Sequence, residues 1–128
     1  MIERKGFERL IKIIEELRML SEDGGVIVVE GKNDLDALKS LGIWGEILLA
    51  SSMPDHEIFR RCSGRKTVLL SDWDSEGREM EKRLKRIIVH GNTEIWAELS
   101  KITGKYIHSV EELPGLIRKG CEFYRIRP

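Results

Sequence analysis

The chain has 128 residues, enough for one domain, of which 41% are hydrophobic and 34% charged. That balance excludes an intrinsically disordered chain, and no window approaches the ~18 consecutive apolar residues of a membrane span. Lys plus Arg and Asp plus Glu both number 22, so no global basic field draws the chain onto nucleic acid. Acids predominate up to about residue 75 and bases after it, so a phosphate partner has to be met by local cationic clusters or by metal ions. Cys62 and Cys121 fit neither a disulfide framework nor a zinc site and read as reduced thiols. The N-terminal stretch is amphipathic and carries acids, unlike a signal or transit peptide. The expectation is a cytoplasmic protein with no membrane association.

In chain order, Phe7, Leu10, Ile11, Ile14 and Leu17 recur at helical spacing and predict a helix from Glu3 to about Leu20. Val26 to Val29 are four consecutive apolar β-branched residues, the pattern of a strand buried on both faces at the centre of a parallel sheet. Asn33 or Asp34 is placed to cap the next helix, which carries Leu35, Leu38 and Leu41. Glu46 to Ala50 reads as a second strand, with a short helix after it from Pro54-Asp55 to about Cys62. Thr67 to Asp72 reads as a third strand, and Ser75 to Ile88 as a helix with Met80, Leu84, Ile87 and Ile88 inward. A helix over 93–103 and a fourth strand over Tyr106–Val110 complete the pattern, and Pro114-Gly115 breaks regular structure near the C-terminus. The alternation predicts an α/β domain with a mostly parallel sheet of about four strands flanked by helices. Its expected organisation is an N-terminal helix over 1–22, the α/β domain over 23–113 and a C-terminal tail over 114–128.

Two segments carry the chemistry. In open α/β sheets ligands bind beyond the carboxyl ends of the strands. Glu30 ends the first strand in VVEGKND, and Asp72 and Asp74 end the third in LLSDWDSEG. If those strands are neighbours, three carboxylates converge, with Trp73 turned away from them. Two carboxylates about 4 Å apart repel by about 4 kcal/mol at an effective dielectric near 20. Either one of them takes up a proton or a divalent cation sits between them. An all-oxygen donor set favours Mg²⁺ (or Mn²⁺), and open positions on such an ion suit phosphoryl-transfer chemistry. Gly31 and Gly77 leave room for a close approach of backbone or substrate, and Lys32 and Arg78 are candidates for phosphate or nucleic-acid binding. Asp74 or Ser75 equally suits a helix cap. The clusters Arg60, Arg61, Arg65, Lys66 and Lys82, Arg83, Lys85, Arg86 fit a solvated face as well as a phosphate track.

Glu30-Gly31-Lys32 after one hydrophobic strand and Asp72-Trp73-Asp74-Ser75-Glu76-Gly77 after another resemble the Toprim domain of topoisomerases, primases, OLD-family nucleases and RecR-type proteins. The VVEGKND form is similar to the ribonuclease that matures small ribosomal RNA and to small stand-alone Toprim proteins. Ser75 stands where type IA topoisomerases carry a basic residue. The resemblance covers about Gly25 to His90. It implies a Rossmann-like sheet that binds magnesium through Glu30, Asp72 and Asp74, with the glutamate as general acid or base in strand cleavage or joining. It also implies nucleic acid, RNA or DNA, as partner, with Lys32 near the phosphate. Two functions are therefore expected: a Mg-dependent nuclease-like enzyme, or a non-catalytic module that binds metal and nucleic acid or a protein partner.

Overall fold

A computed structural model describes residues 1–127. Nine segments form its helices and strands. They are helix α1 (Arg4–Glu22), strand β1 (Val26–Val29), α2 (Lys32–Ser40), β2 (Glu46–Leu49), α3 (Asp55–Cys62), β3 (Thr67–Leu70), α4 (Ser75–Ile87), α5 (Glu94–Thr103) and α6 (Leu113–Tyr124). The protein is α/β. Its sheet has the order β2-β1-β3 with both pairings parallel, so the Val26–Val29 run does occupy the centre. All four of these residues are buried because helices cover both faces. Ile27 and Val29 join Phe7, Leu10, Leu17, Leu113 and Ile117 on one side. Val26 and Val28 join Ile58, Leu69 and Leu84 on the other. Burial of each such side chain contributes roughly 1.5–3 kcal/mol, which outweighs the low intrinsic stability of a four-residue strand. No helix among the described residues is long and apolar enough to cross a membrane.

The sheet has three strands, not four. Tyr106 ends a turn and Val110–Glu112 is a single 3₁₀ turn. Within this stretch the buried residues are Ile107 and Val110, three positions apart, a spacing that serves a turn and not the alternation of a strand. The free edge of β3 is met by one residue, Asn92, which makes an isolated parallel bridge to Val68. The stretch from Ile107 to Val110 instead lies along the exit from β3. There Trp73 donates its backbone N–H to His108 O at 3.0 Å and its indole N–H to Ile107 O at 2.7 Å.

Residues 114–128 are not a separate tail as far as they are described. Pro114 sits in the first turn of α6, where a missing N–H costs nothing, so it starts a helix and does not break one. That helix buries Leu113, Leu116 and Ile117 in the same core as α1. Gly120 allows the close approach: a Cβ there would stand 2.1 Å from the Phe7 ring. Helix α1 runs two residues beyond Leu20 and buries Ile13, while Ile11 is only partly covered. Helix α2 is capped from within, because Gly31 is the N-cap and the Asp34 carboxylate accepts its N–H at 3.1 Å.

Candidate functional site

Glu30 is the residue after β1, and β3 hands the chain through Ser71 to Asp72 and Asp74. Because β1 and β3 are hydrogen-bonded neighbours in register, these acids emerge at the same carboxyl end of the sheet. Glu30, Asp34, Asp72, Glu76 and Glu111 line an open crevice of ≈ 370 Å³ there, with Lys32 as the only cation among the lining residues. Asp74 stands beside it, exposed, as the N-cap of α4, its Oδ1 accepting the Gly77 N–H at 2.7 Å.

Local sequence explains this geometry. The Asp72 carboxylate is held by the Val110 N–H, which it accepts through Oδ1 at 3.0 Å. Trp73 turns the other way into the core, 6% exposed. The close approach that Gly77 permits is internal: a Cβ there would lie 1.7 Å from the Asp72 carbonyl oxygen. The glycine of the DxDxxG pattern therefore seats the first turn of α4 directly on the peptide of Asp72, a role separate from any contact with substrate. Asp34, Asp72 and Asp74 each give one oxygen to a backbone N–H and keep the other.

Electrostatically the site is acidic, with a single lysine among several carboxylates in its lining. Burial pushes the Asp72 carboxyl up to about 6, against the Val110 hydrogen bond, and the charges of Asp34, Glu30 and Asp74 add to the rise. Glu30 is also raised, first by burial and then by Asp34, Asp74 and Glu76. Asp34 is raised by burial, which outweighs the Gly31 hydrogen bond, with Glu111 contributing. None of these acids takes part in an ion pair among the described residues, whose salt bridges all lie elsewhere. Among the described residues no three His, Cys, Asp or Glu side chains already stand in a metal-ligating arrangement. Magnesium is a chemical fit all the same: the donors are oxygens, the excess charge is negative, and the three aspartates retain free oxygens.

The basic candidates separate. Lys32 is on the crevice, whereas Arg78 lines a different groove with Trp73, Trp96, Lys101 and His108. Most of the clustered arginines are engaged in ion pairs, Arg60 and Arg61 with Glu57, Arg65 with Glu46 and Arg83 with Asp55. Sequence reasoning missed three acids of the crevice. Asp34 was legible only as a cap and Glu76 only as part of a motif spacer. Glu111 reaches the crevice through the return of the chain after α5, for which no local signal exists.

No family model matches the chain. Curated relatives do. A UPF0292 protein of Thermococcus kodakarensis is 35% identical over 117 residues, covering 88% of this chain and 86% of the relative. A second from Pyrococcus furiosus is 36% identical over 113 residues, covering 85% and 84%. The chain belongs to the UPF0292 family. Another member, from Methanocaldococcus jannaschii, is 31% identical over 121 residues and spans 88% of this chain and 93% of its own. A solved structure of a protein from Aquifex aeolicus superimposes with a TM-score of 0.69 at 28% identity, covering 80% of this chain and 96% of that one. The fold of this family member is thus shared with a solved structure over nearly that structure's full length.

Proposed function

We propose that this family member is a Toprim-type, magnesium-dependent nucleic-acid-processing protein that cleaves phosphodiesters in RNA or DNA. The observation that carries the reading is that Glu30, Asp72 and Asp74 follow the carboxyl ends of two adjacent parallel strands, where the Asp74 charge adds to burial in raising the proton affinity of Glu30 and Asp72, with no ion pair to any of the three among the described residues. Deprotonated carboxylates in that arrangement repel one another unless a divalent ion joins them.

In this reading Glu30, Asp72 and Asp74 hold Mg²⁺ (or Mn²⁺) through oxygens not already committed to backbone N–H groups. The ion, when bound, supplies charge stabilisation on the phosphate oxygens. Glu30 takes the proton from the attacking water. Lys32 at the crevice offers its ammonium to the substrate phosphate. Backbone hydrogen bonds fix the two aspartates beforehand, the kind of outer support that orients ligands.

The test uses end-labelled single-stranded and hairpin RNA and DNA, each with Mg²⁺, with Mn²⁺ and with chelator. Metal-dependent cleavage that disappears in Glu30→Gln and in Asp72→Asn/Asp74→Asn, with circular dichroism unchanged, supports the reading. Cleavage that survives in both variants, or no metal dependence, removes it. Binding without cleavage leaves a non-catalytic module for metal and nucleic acid or a protein partner.

A further inference from the structure

The hydrogen-bonded wall formed by residues 72–74 and 107–110 has two sides of opposite character. Asp72, Glu76 and Glu111 face the crevice on one side. Trp73, Arg78 and His108 face a separate groove of ≈ 310 Å³ on the other, joined by Trp96 and Lys101 from α5. Alternation along the exit from β3 turns Asp72 and Trp73 to opposite sides, and the two residues from Glu76 to Arg78 on α4, about 200° apart, separate an acid from a cation. Among the described residues no acid lines this groove. Arg78 and Lys101 take part in no ion pair among the described residues, although arginines elsewhere on the surface are paired. The nearby carboxylate of Glu98 is committed to Arg9, through two hydrogen bonds. The indole N–H of Trp96 is buried and has no acceptor among the described residues, so a group that can only donate is left unpaired, at a cost of about 1–3 kcal/mol.

We infer that this groove is a second phosphate site, which holds a phosphodiester of the nucleic-acid strand flanking the one in the acidic crevice. The inference rests on the proposed function for the identity of the strand, and on Arg78, Lys101 and His108 for the contact. Two cations without ion pairs among the described residues, an imidazole and the partly exposed Trp96 ring are what a single-stranded backbone with its bases meets in cationic channels that carry an aromatic side chain. A strand seated this way would cross the wall at Trp73, between a carboxylate pocket suited to metal and a cationic groove suited to bare phosphate.

The test uses a Trp44→Phe protein, which leaves Trp73 and Trp96 as the only fluorophores of their kind and removes an exposed one. It is titrated with oligouridylate and oligothymidylate of about eight nucleotides, the length of a short single-strand site. Tryptophan quenching reports on the groove and end-label anisotropy on binding anywhere. Quenching in the parent, with Kd raised at least about tenfold in Arg78→Ala/Lys101→Ala, supports the groove. So does a slope of log Kd against log salt lowered by about 1.4 in that variant, two single-strand phosphate contacts at ~0.7 each. An unchanged magnesium-induced thermal shift in the variant shows that the crevice and the fold are intact. Binding by anisotropy with equal Kd and slope in parent and variant overturns the groove alone. Binding lost in the variant, but no metal-dependent cleavage by the parent, keeps the groove and removes the cleavage reading. No binding of either oligonucleotide by the parent removes the groove, and removes the cleavage reading as well where the hairpins are not cut either.

Discussion

At the scale of single residues, Asp72 shows what the site costs the fold. Its carboxyl titrates at about 6 in the folded chain against an ordinary 3.8. Between those values the folded state binds more protons than the unfolded one, so stability falls as pH rises from about 4 to 6. At neutral pH the ionised Asp72 is a destabilising group, by on the order of 1–2 kcal/mol once solvent screening of a half-buried side chain is allowed for. Asn keeps an oxygen to accept the Val110 N–H and loses the charge. In chelator, Asp72→Asn is therefore expected to melt several degrees above the parent at pH 7.5, with the gap closing near pH 4; scanning calorimetry across that range measures it. A variant equal to or less stable than the parent at pH 7.5 would show that the charge is not strained in the metal-free fold. Asp74 poses a different question, since it caps α4 and is also proposed as a ligand of the ion. Asp74→Asn is expected to keep the cap and the melting temperature. Asp74→Ala is expected to lose about 1 kcal/mol of stability, and both are expected to lose magnesium binding by isothermal calorimetry.

At the scale of elements, the first turn of α4 is the part on which the two aspartates depend. Helix propensity alone makes Gly77→Ala favourable by about 1 kcal/mol. Sterics say the reverse, because the added Cβ would meet the Asp72 carbonyl oxygen at 1.7 Å and the carbonyl carbon at 2.4 Å, both of them backbone atoms that cannot rotate aside. Overpacking of that kind costs typically 1–3 kcal/mol or more, so the steric effect wins. Gly77→Ala is expected to lower stability in urea by at least about 1 kcal/mol and to weaken magnesium binding, because α4 must lift away from Asp72. A stabilised variant would mean that the helix start is not seated on that peptide. The same elements show what was legible in the sequence. The β1 run, the β3 run and the helices between them are encoded locally by apolar periodicity, and so are the positions of Glu30, Asp72 and Asp74 at strand ends. Sequence could not show that β1 is paired with β3, since that pairing joins residues about 40 apart and is set by the parallel crossovers. Nor could it show that Tyr106–Val110 is a wall beside Trp73 and not a strand, because Trp73's two hydrogen bonds to that segment are tertiary.

At the scale of the whole molecule, charge is unevenly resolved. The net formal charge is zero, and many surface arginines are neutralised by glutamates on their own or adjoining elements. Among the described residues the carboxylates of the crevice are left without such partners, and Lys32 is the one cation in the lining to offset them. A ligand that binds only the folded chain raises its stability by RT ln(1 + [L]/Kd), about 2.7 kcal/mol at a hundredfold excess over Kd. For a domain of this length that corresponds to roughly 10 °C in melting temperature. Monovalent salt also relieves repulsion between carboxylates, with a Debye length of ~10 Å at 0.1 M, but it does so diffusely and without a defined stoichiometry. Magnesium chloride is therefore expected to raise the melting temperature saturably at matched ionic strength, by several degrees beyond sodium chloride. The extra shift is expected to vanish in Glu30→Gln and in Asp72→Asn and to persist in Lys32→Ala, where a competing cation has been removed. Differential scanning fluorimetry over a magnesium titration decides it. Equal shifts with the two salts would mean that the acids at the strand ends are merely screened and that no ion is held between them.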